Sequence, residues 1–120
     1  MNVFVYYNLH KKTFSIKSLE GDRKGKVIGY SNQLILLNAK FNVSENGRLR
    51  VLKEKRKIVH AGIIGEWNPE QQIELNTRGR EITYDPYKYS TFVFVDTKEP
   101  VYEMNKLLLD NKKVYEFNLV

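Results

Sequence analysis

The 120-residue chain has the length of one domain, and its 42% apolar residues are enough for one hydrophobic core. It contains no cysteine, which excludes disulfides, thiol catalysis and cysteine-based zinc sites. Its apolar runs are far shorter than a membrane span, and its first residues lack the pattern of a signal peptide. We therefore expect a single domain over 1–120, located in the cytoplasm and not associated with membranes.

Positive charge is concentrated in the first part of the chain. The formal net charge is +6, but residues 1–67 hold 13 Lys and Arg against 5 Asp and Glu, whereas residues 68–120 hold 7 against 9. Clustered cations attract anions, so a basic front part (1–67) before a neutral-to-acidic part (68–120) predicts an anionic ligand. A solvated basic surface with no ligand is the simpler interpretation.

The first 43 residues have the patterns of strands. The alternation in "VFVYYNL" divides the side chains between two faces, with Val3, Val5, Tyr7 and Leu9 on one and Phe4, Tyr6, Asn8 and His10 on the other. "KTFSIKS" predicts a second short strand, and the glycines and charges of "EGDRKGK" predict an exposed turn. "VIGYSNQLILLNAKFNV" predicts strands around 27–30 and 34–43.

The segment 44–57 admits two interpretations. Ser44 is a good N-cap, Glu45 lies where the helix dipole favours an acid, and "RLRVLKEKRK" contains good helix formers. Asn46-Gly47 instead favours the type I′ turn of a hairpin. We favour the helix because the polar run 53–57 is too long for the arm of a sheet. Six of the ten positions from 48 to 57 are cationic, so the predicted helix is basic.

The rest of the chain again has the patterns of strands. "IVHAGIIGEW" predicts a strand with Val59, Ala61, Ile63 and Trp67 on one face. Successive hairpins then pair "IEL" with "EITY", "TFVFV" with "VYEM", and "KLLL" with "VYEFNLV". The predicted fold class is α+β: a single domain with a mostly antiparallel, curved β-sheet of hairpins and one basic α-helix around 44–57.

Several of these stretches resemble a family of small uncharacterised proteins encoded by phages and prophages. They are "YNLHKKTFSI", "VSENGRLRVLKEKRKIVHAGIIG", "ITYDPYKYSTFV" and "EPVYE", which together span most of the chain. The resemblance implies a viral setting, with work on nucleic acid or against host defence. It would place the protein in the cytoplasm of an infected or lysogenic bacterial host. It implies no mechanism and no residue roles, because the family has no assigned activity.

The crowded cations predict a binding site for phosphate groups. Arg forms paired bonds to phosphate oxygens and Lys supplies mobile point charges. The predicted ligand-binding residues are Asn8, His10, Lys11, Arg48, Lys55, Arg56, Lys57 and His60. Three tyrosines around Lys88 are candidates for stacking on bases, although tyrosines of a sheet are more often packing partners. They are Tyr84, Tyr87 and Tyr89.

Catalysis is a weaker hypothesis. Two histidines and a lysine can cleave a phosphodiester, but phosphodiesterases of the two-histidine type repeat His-x-Thr/Ser, and the triplets here are "HKK" and "HAG". A hydrogen-bonding role is the simpler interpretation of His10 and His60. The two histidines and scattered carboxylates also lack the spacing of metal ligands. We therefore predict no catalytic residue, no metal and no cofactor, and favour a protein that is not an enzyme.

These observations lead to a hypothesis of non-enzymatic binding. The favoured ligand is a small nucleotide, such as a host defence signal that a phage counter-defence protein sequesters. One alternative is sequence-nonspecific binding of DNA or RNA, since no helix-turn-helix, RRM or zinc-finger pattern is present. Another is inhibition of a host protein by docking on its acidic surface. Exposed strand edges would also permit a homo-oligomer.

Overall fold

The computed structural model describes residues 1–71 and 78–117, which form a nine-stranded antiparallel sheet with one α-helix. The strands are β1 (Asn2–Asn8), β2 (Thr13–Ser18), β3 (Val27–Ser31), β4 (Gln33–Val43), β5 (Ala61–Trp67), β6 (Arg78–Thr83), β7 (Val93–Phe94), β8 (Glu103–Asp110) and β9 (Lys113–Phe117). The helix α1 is Glu45–Glu54, and Gly21–Arg23 forms a short 3-10 turn.

The order of the strands shows how the single sheet is built. The order across the sheet is β3-β2-β1-β5-β4-β8-β9-β6-β7, and neighbouring strands are antiparallel. The sheet is open, with β3 and β7 at its two edges. The predicted α+β class is therefore confirmed as one compact domain with a mostly antiparallel sheet and a helix. Asn32 alone separates β3 from β4, although three strands lie between them in the sheet.

The alternation of the first strands is confirmed, except at its end. Val3 and Val5 are fully buried and pair with Ser18 and Ile16 of β2. The prediction for Leu9 is wrong, because β1 ends at Asn8 and Leu9 is exposed in the turn that follows. Similarly, β5 begins at Ala61, so Val59 lies before the strand and is exposed.

In the last third, the hairpin of β8 and β9 is confirmed, with Asn111 and Lys112 as its turn. The predicted strands "VYEM" and "KLLL" merge into β8. β7 is only two residues long, and Val93 forms an isolated bridge to Pro100 in place of a longer hairpin. The predicted pairing of "IEL" with "EITY" falls partly on residues 72–77, outside the described residues.

One face of the sheet holds the main core. Its members are apolar side chains from almost every described strand: Val3, Val5, Phe14, Ile16, Leu34, Leu36, Ala39, Phe41, Ile63, Ile82, Phe92, Val101, Leu107, Leu109 and Val114. On the opposite face, Ile35 and Leu108 pair across β4 and β8 and are buried as well. The apolar runs "LILL" and "LLL" are thus typical of central strands that are covered on both sides.

The helix interpretation of 44–57 is correct, but the helix is shorter than predicted. The Ser44 hydroxyl accepts a hydrogen bond from the Gly47 N–H (3.2 Å), so Asn46-Gly47 does not form a hairpin turn. Lys55 adopts the left-handed conformation and ends the helix. The helix carries three cations and two carboxylates, a net charge of +1, and the other cations of the segment, 55–57, lie beyond it.

In the described residues, lysines occupy most of the left-handed backbone positions that are not filled by glycine. Among the described non-glycine residues, six have positive φ, and four of these are Lys12 (54°), Lys55 (53°), Lys98 (64°) and Lys112 (77°). The other two are asparagines, which tolerate this conformation better. Three of the lysines lie in turns between strands and Lys55 lies at the end of the helix. A left-handed non-glycine residue carries a strain of about 1–3 kcal/mol.

Candidate functional site

The turn between β1 and β2 carries three of the predicted ligand residues. The side-chain carbonyl of Asn8 accepts hydrogen bonds from the N–H groups of His10 (3.0 Å) and Lys11 (3.1 Å). Its side-chain amide donates to the Ser15 hydroxyl (3.2 Å). Asn8 therefore stabilises the turn, as asparagine commonly does. The side chains of His10 and Lys11 are exposed at its tip.

Arg48 connects α1 to the loop 84–89. Its Nε donates to the carbonyl oxygens of Pro86 (3.2 Å) and Tyr89 (3.0 Å), and Nη1 lies 3.5 Å from Glu45 Oε1. The side chain is only 18% exposed. Because Nε already has two partners in the protein, Arg48 holds the helix in place.

His60 forms the second connection to this loop. Its Nδ1 lies 2.8 Å from the Ile58 carbonyl oxygen, and its Nε2 lies 2.6 Å from the Tyr84 hydroxyl. A carbonyl oxygen only accepts hydrogen bonds, so Nδ1 carries the proton in the neutral ring and Nε2 accepts from Tyr84. A methyl group at Gly47 would lie 2.5 Å from His60 Cβ. Glycine at this position therefore lets the helix approach the histidine.

The Tyr84 ring is partly buried and packs against the main core. It stacks on Phe92 with 5.2 Å between ring centroids, and Phe92 in turn contacts Phe41. Burial raises the pKa of Tyr84 to about 12, with the positive charge of Arg48 opposing the shift. The phenol is therefore protonated at neutral pH and can donate to His60 Nε2.

The other two candidate tyrosines flank a tight turn. The Asp85 carboxylate accepts a hydrogen bond from the Tyr87 N–H, and the Asp85 carbonyl accepts from Lys88 and Tyr89. Tyr87 is 61% exposed, whereas Tyr89 is half-buried and uses its carbonyl for Arg48. Of the three predicted stacking residues, Tyr87 offers the most accessible ring.

The predicted residues thus fall into three groups. Asn8, His10 and Lys11 share the first turn, Arg48 and His60 hold the loop 84–89, and the exposed segment 55–57 follows the helix. Within residues 1–71 and 78–117, no hydrogen bond joins the first group to the second. Their assignment to a phosphate ligand remains a prediction, and Arg48 and His60 have structural partners that account for their placement.

A different set of side chains, not predicted as a site from the sequence, covers the sheet face opposite the main core. Tyr6 of β1 lies opposite Ser15 of β2, which in turn lies opposite Tyr30 of β3. Phe4 lies two residues from Tyr6, with 6.0 Å between their ring centroids. The alternation of β1 placed Phe4 and Tyr6 on this face, but Tyr30 joins them only through the register of three strands.

Ion pairs are unevenly distributed over the described residues. They are Arg48–Glu45, Arg50–Glu54, Arg78–Asp110, Arg80–Asp96 and Lys113–Glu81. In the described parts of the chain, therefore, no cation before Arg48 is paired with a carboxylate. Among these cations, Lys11 lies 4.8 Å from the Tyr30 ring centroid. Later in the chain, Lys112 likewise lies 5.7 Å from the Tyr7 ring centroid.

Two shallow depressions adjoin Lys40, beside the bulge at Asn38 in β4. The first, of about 370 Å³, is lined by Glu66 among others, and the second, of about 520 Å³, by Glu103. Each therefore combines one lysine with a carboxylate that would repel a phosphate.

Two classes of feature are not found in the described structure. Over 1–71 and 78–117, no group of three or more acidic or histidine side chains could hold a metal ion. In the same residues, no helix combines the length and the apolar content needed to cross a bilayer.

Comparison with known proteins gives one consistent result. A family model described as "Mycobacterium phage L5 gene 82 protein" matches residues 1–117. The gene 82 protein of Mycobacterium phage L5 is 39% identical to this chain over 120 residues, which cover 95% of this chain and 94% of that protein. No solved structure matches the chain significantly.

Proposed function

Because the chain belongs to the family of the Mycobacterium phage L5 gene 82 protein, we propose a function suited to a phage protein: it binds a phosphate-bearing ligand without altering it. The partners of such a protein include the nucleic acids and nucleotides of an infected cell. The proposal places its action in the host cytoplasm. Interference with host defence is the biological role that we propose for this binding.

One observation carries the proposal. Residues 1–44 hold seven Lys and Arg but only Glu20 and Asp22 as acids, and no described ion pair involves these cations. The exposed segment 55–57 adds three more cations. Unpaired surface cations repel one another, and a polyanion relieves this repulsion while releasing its own counterions.

The form of the ligand is the next question. A small nucleotide held in a pocket, the ligand favoured from the sequence, would need convergent cations. The two depressions beside Lys40 each contain a carboxylate instead. Exposed cations spread over a turn, strands and the segment 55–57 suit a longer ligand better. We therefore place a nucleic-acid strand ahead of a free nucleotide.

A curved sheet is part of this proposal. Asn32 alone links β3 to β4, the first and fifth strands of the sheet, and a single residue spans only about 3.5 Å. The Asn111 N–H donates to the Asn32 carbonyl (3.0 Å), and Lys112 lies near Tyr7. Curvature would bring the turn at Asn111 and Lys112 towards the cations of the β1–β2 turn.

The test compares ligands and salt concentrations. The melting temperature is measured with mono-, di- and cyclic nucleotides, and oligonucleotide affinity is measured at 50 and 200 mM salt. A ligand at a hundredfold excess over its Kd adds about 2.7 kcal/mol to the free energy of unfolding. Oligonucleotide binding that weakens steeply with salt supports a polymer, and a salt-insensitive shift with one nucleotide supports a pocket. No response to either contradicts the proposal and favours docking on an acidic host protein.

A matched pair of variants tests the location of the charges. Arg56→Glu/Lys57→Glu removes cations from the exposed segment, whereas Lys98→Glu/Lys113→Glu makes the same change of net charge in the second part of the chain. The proposal requires the first variant to bind much more weakly than the second. Equal losses would show that only the net charge matters.

A further inference from the structure

We propose that the sheet face formed by Phe4, Tyr6 and Tyr30 binds single-stranded nucleic acid by stacking on its bases. This inference rests on the proposed function and specifies the ligand of that function. It defines an aromatic face, consisting of these three residues, that is separate from Tyr84, Tyr87 and Tyr89. It also predicts which form of nucleic acid is bound.

Strand register places the aromatic face. Tyr6, Ser15 and Tyr30 occupy opposite positions on three adjacent strands, and neighbouring strands lie about 4.8 Å apart. Ser15 is small and completely buried, and Asn8 donates to its hydroxyl. Because Ser15 is small and covered, no bulky side chain projects between Tyr6 and Tyr30. Both rings are therefore available to a planar ligand.

The ring of Phe4 lies against the backbone of the neighbouring strand. A methyl group at Gly62 would collide with the Phe4 ring and would lie 2.7 Å from the Val5 carbonyl oxygen. Gly62 therefore leaves the space that the ring occupies over β5. An aromatic ring supported in this way presents a surface on the sheet, as the stacking residues of sheet-based single-strand binders do.

The aromatic face opens towards solvent at its edge. Tyr30 is 49% exposed and lies on β3, which is an edge of the sheet. Phe4 and Tyr6 are intermediate in exposure, and neither belongs to the main core. Tyr30 therefore exposes about half of its surface to a base, and Phe4 and Tyr6 expose a smaller part of theirs.

The charges around the aromatic face complement a phosphate backbone. Lys11 lies over the Tyr30 ring, and Lys17 lies opposite Phe4 on β2. Residues 1–19 and 23–44, which include β1 to β4, contain no Asp or Glu. Rings for bases and lysines for phosphates are the combination that binds single strands. A duplex keeps its bases paired and stacked, so it could use only the lysines.

The experiment compares two probes and four proteins. Anisotropy measures the binding of a labelled 12-nucleotide oligothymidine and of a 12-base-pair duplex. The proteins are the unmodified chain, Tyr6→Leu/Tyr30→Leu, Tyr6→Phe/Tyr30→Phe and the control Tyr102→Leu, which alters a tyrosine with 64% exposure elsewhere. Melting temperatures verify that each protein is folded.

We expect the protein to prefer the single strand, and only the leucine variant to lose this affinity. The single strand binds at least about tenfold more tightly than the duplex, and the leucine variant loses about tenfold or more of single-strand affinity alone. The phenylalanine variant keeps this affinity because its rings remain, and the control is unchanged. If the leucine variant fails to fold, Lys17→Glu on the same face must weaken single-strand binding more than Lys113→Glu does.

Other outcomes separate this inference from the proposed function. Equal affinity for single strand and duplex, or a leucine variant that binds like the unmodified chain, overturns base stacking on this face. If those results accompany a loss of binding in Arg56→Glu/Lys57→Glu, phosphate binding still stands. Binding of free nucleotides alone also overturns the inference and leaves the broader function intact. Binding of no phosphate compound overturns both.

Discussion

The cations near strands β1–β3 and those near strands β6–β9 differ in their ion-pair partners. Near β6–β9, Arg78 pairs with Asp110, Arg80 with Asp96, and Lys113 with Glu81. Among the described residues, the lysines of β1–β3 and their turns form no such pair, and Lys11 faces an aromatic ring. The described ion pairs thus neutralise three cations near β6–β9, although Lys106 of β8 lies over an aromatic ring as Lys11 does. None of the described cations of β1–β3 and their turns is neutralised by an ion pair.

This difference shows where charge contributes to folding. Asp110 is only 2% exposed, and it accepts hydrogen bonds from Gln33 (3.1 Å) and Arg78. Its partners are required because a buried carboxylate without them is strongly destabilising. In β1–β3, by contrast, β1 and β2 contribute buried apolar side chains, and the described residues of these strands form no ion pair. Four variants test these interactions and those around Tyr84 and the segment 55–57, in order of decreasing effect on stability.

Gly62→Ala should have the largest effect. The added methyl group meets both the Phe4 ring and the Val5 carbonyl oxygen, so backbone and side chain would have to shift. We expect a loss of about 3 kcal/mol in the free energy of unfolding, measured in urea. Gly29→Ala on β3 is the control, because its methyl group would meet only Trp67, at 3.8 Å. Equal losses for the two variants would contradict the role of Gly62.

Asp110→Ala should cause the second-largest loss of stability. It leaves the Gln33 amide and the Arg78 guanidinium without their acceptor, and we expect a loss of about 2 kcal/mol. Asp96→Ala removes an acid that pairs with Arg80 at an exposed site, and it should cause a clearly smaller loss. Urea unfolding of both variants tests this. A larger effect at Asp96 would mean that the second region does not depend on its buried pair.

Tyr84→Phe should rank third, with a loss of about 1 kcal/mol from the missing hydrogen bond to His60. The loss should also depend on pH. Because the pKa of Tyr84 is raised from 10 to about 12, the folded state holds the phenolic proton more tightly than the unfolded chain does. This contribution is complete below pH 10 and disappears as the pH rises through 12.

The measurement for Tyr84 is urea unfolding of both proteins at pH 8 and at several values from 10 to 12. The stability advantage of the unmodified chain over Tyr84→Phe should shrink across the upper range. Comparing the two proteins cancels the titration of the remaining tyrosines and lysines. An advantage that stays constant to pH 12 would show that Tyr84 titrates like an exposed tyrosine.

Arg56→Gln/Lys57→Gln should have the smallest effect on stability. Both side chains are exposed and lie beyond the end of the helix, so the free energy of unfolding should change by no more than about 0.5 kcal/mol. Thermal melting of this variant beside the unmodified chain checks this. A marked destabilisation would place these cations in the folding interactions and contradict their assignment as exposed charges that are left for a ligand.

Much of the fold follows from local patterns in the sequence. The alternation around Val3 and Val5, the Ser44 cap and the turn at Asn111 and Lys112 each act over a few residues. Strand order does not, because the position of β5 between β1 and β4 depends on contacts between distant residues. The helix end was also missed, since Lys55 takes a conformation for which glycine is the usual signal.

The candidate site was less predictable for the same reason. Charge density identified the cations, but it could not distinguish Arg48, which binds two backbone carbonyls, from the exposed Arg56. The partnership of His60 and Tyr84 joins residues 24 positions apart. Tyr30 approaches Tyr6 only after three strands are aligned. Composition indicates which residue types are abundant, and tertiary structure determines which of them are free.

The left-handed lysines have a consequence for anyone who engineers this protein. Glycine at positions 12 and 55 would relieve backbone strain and should raise the melting temperature. The same exchange would delete two positive charges. The melting temperature would then rise while the affinity for a polyanion falls. Selection for heat resistance alone would therefore favour variants that bind a polyanion more weakly.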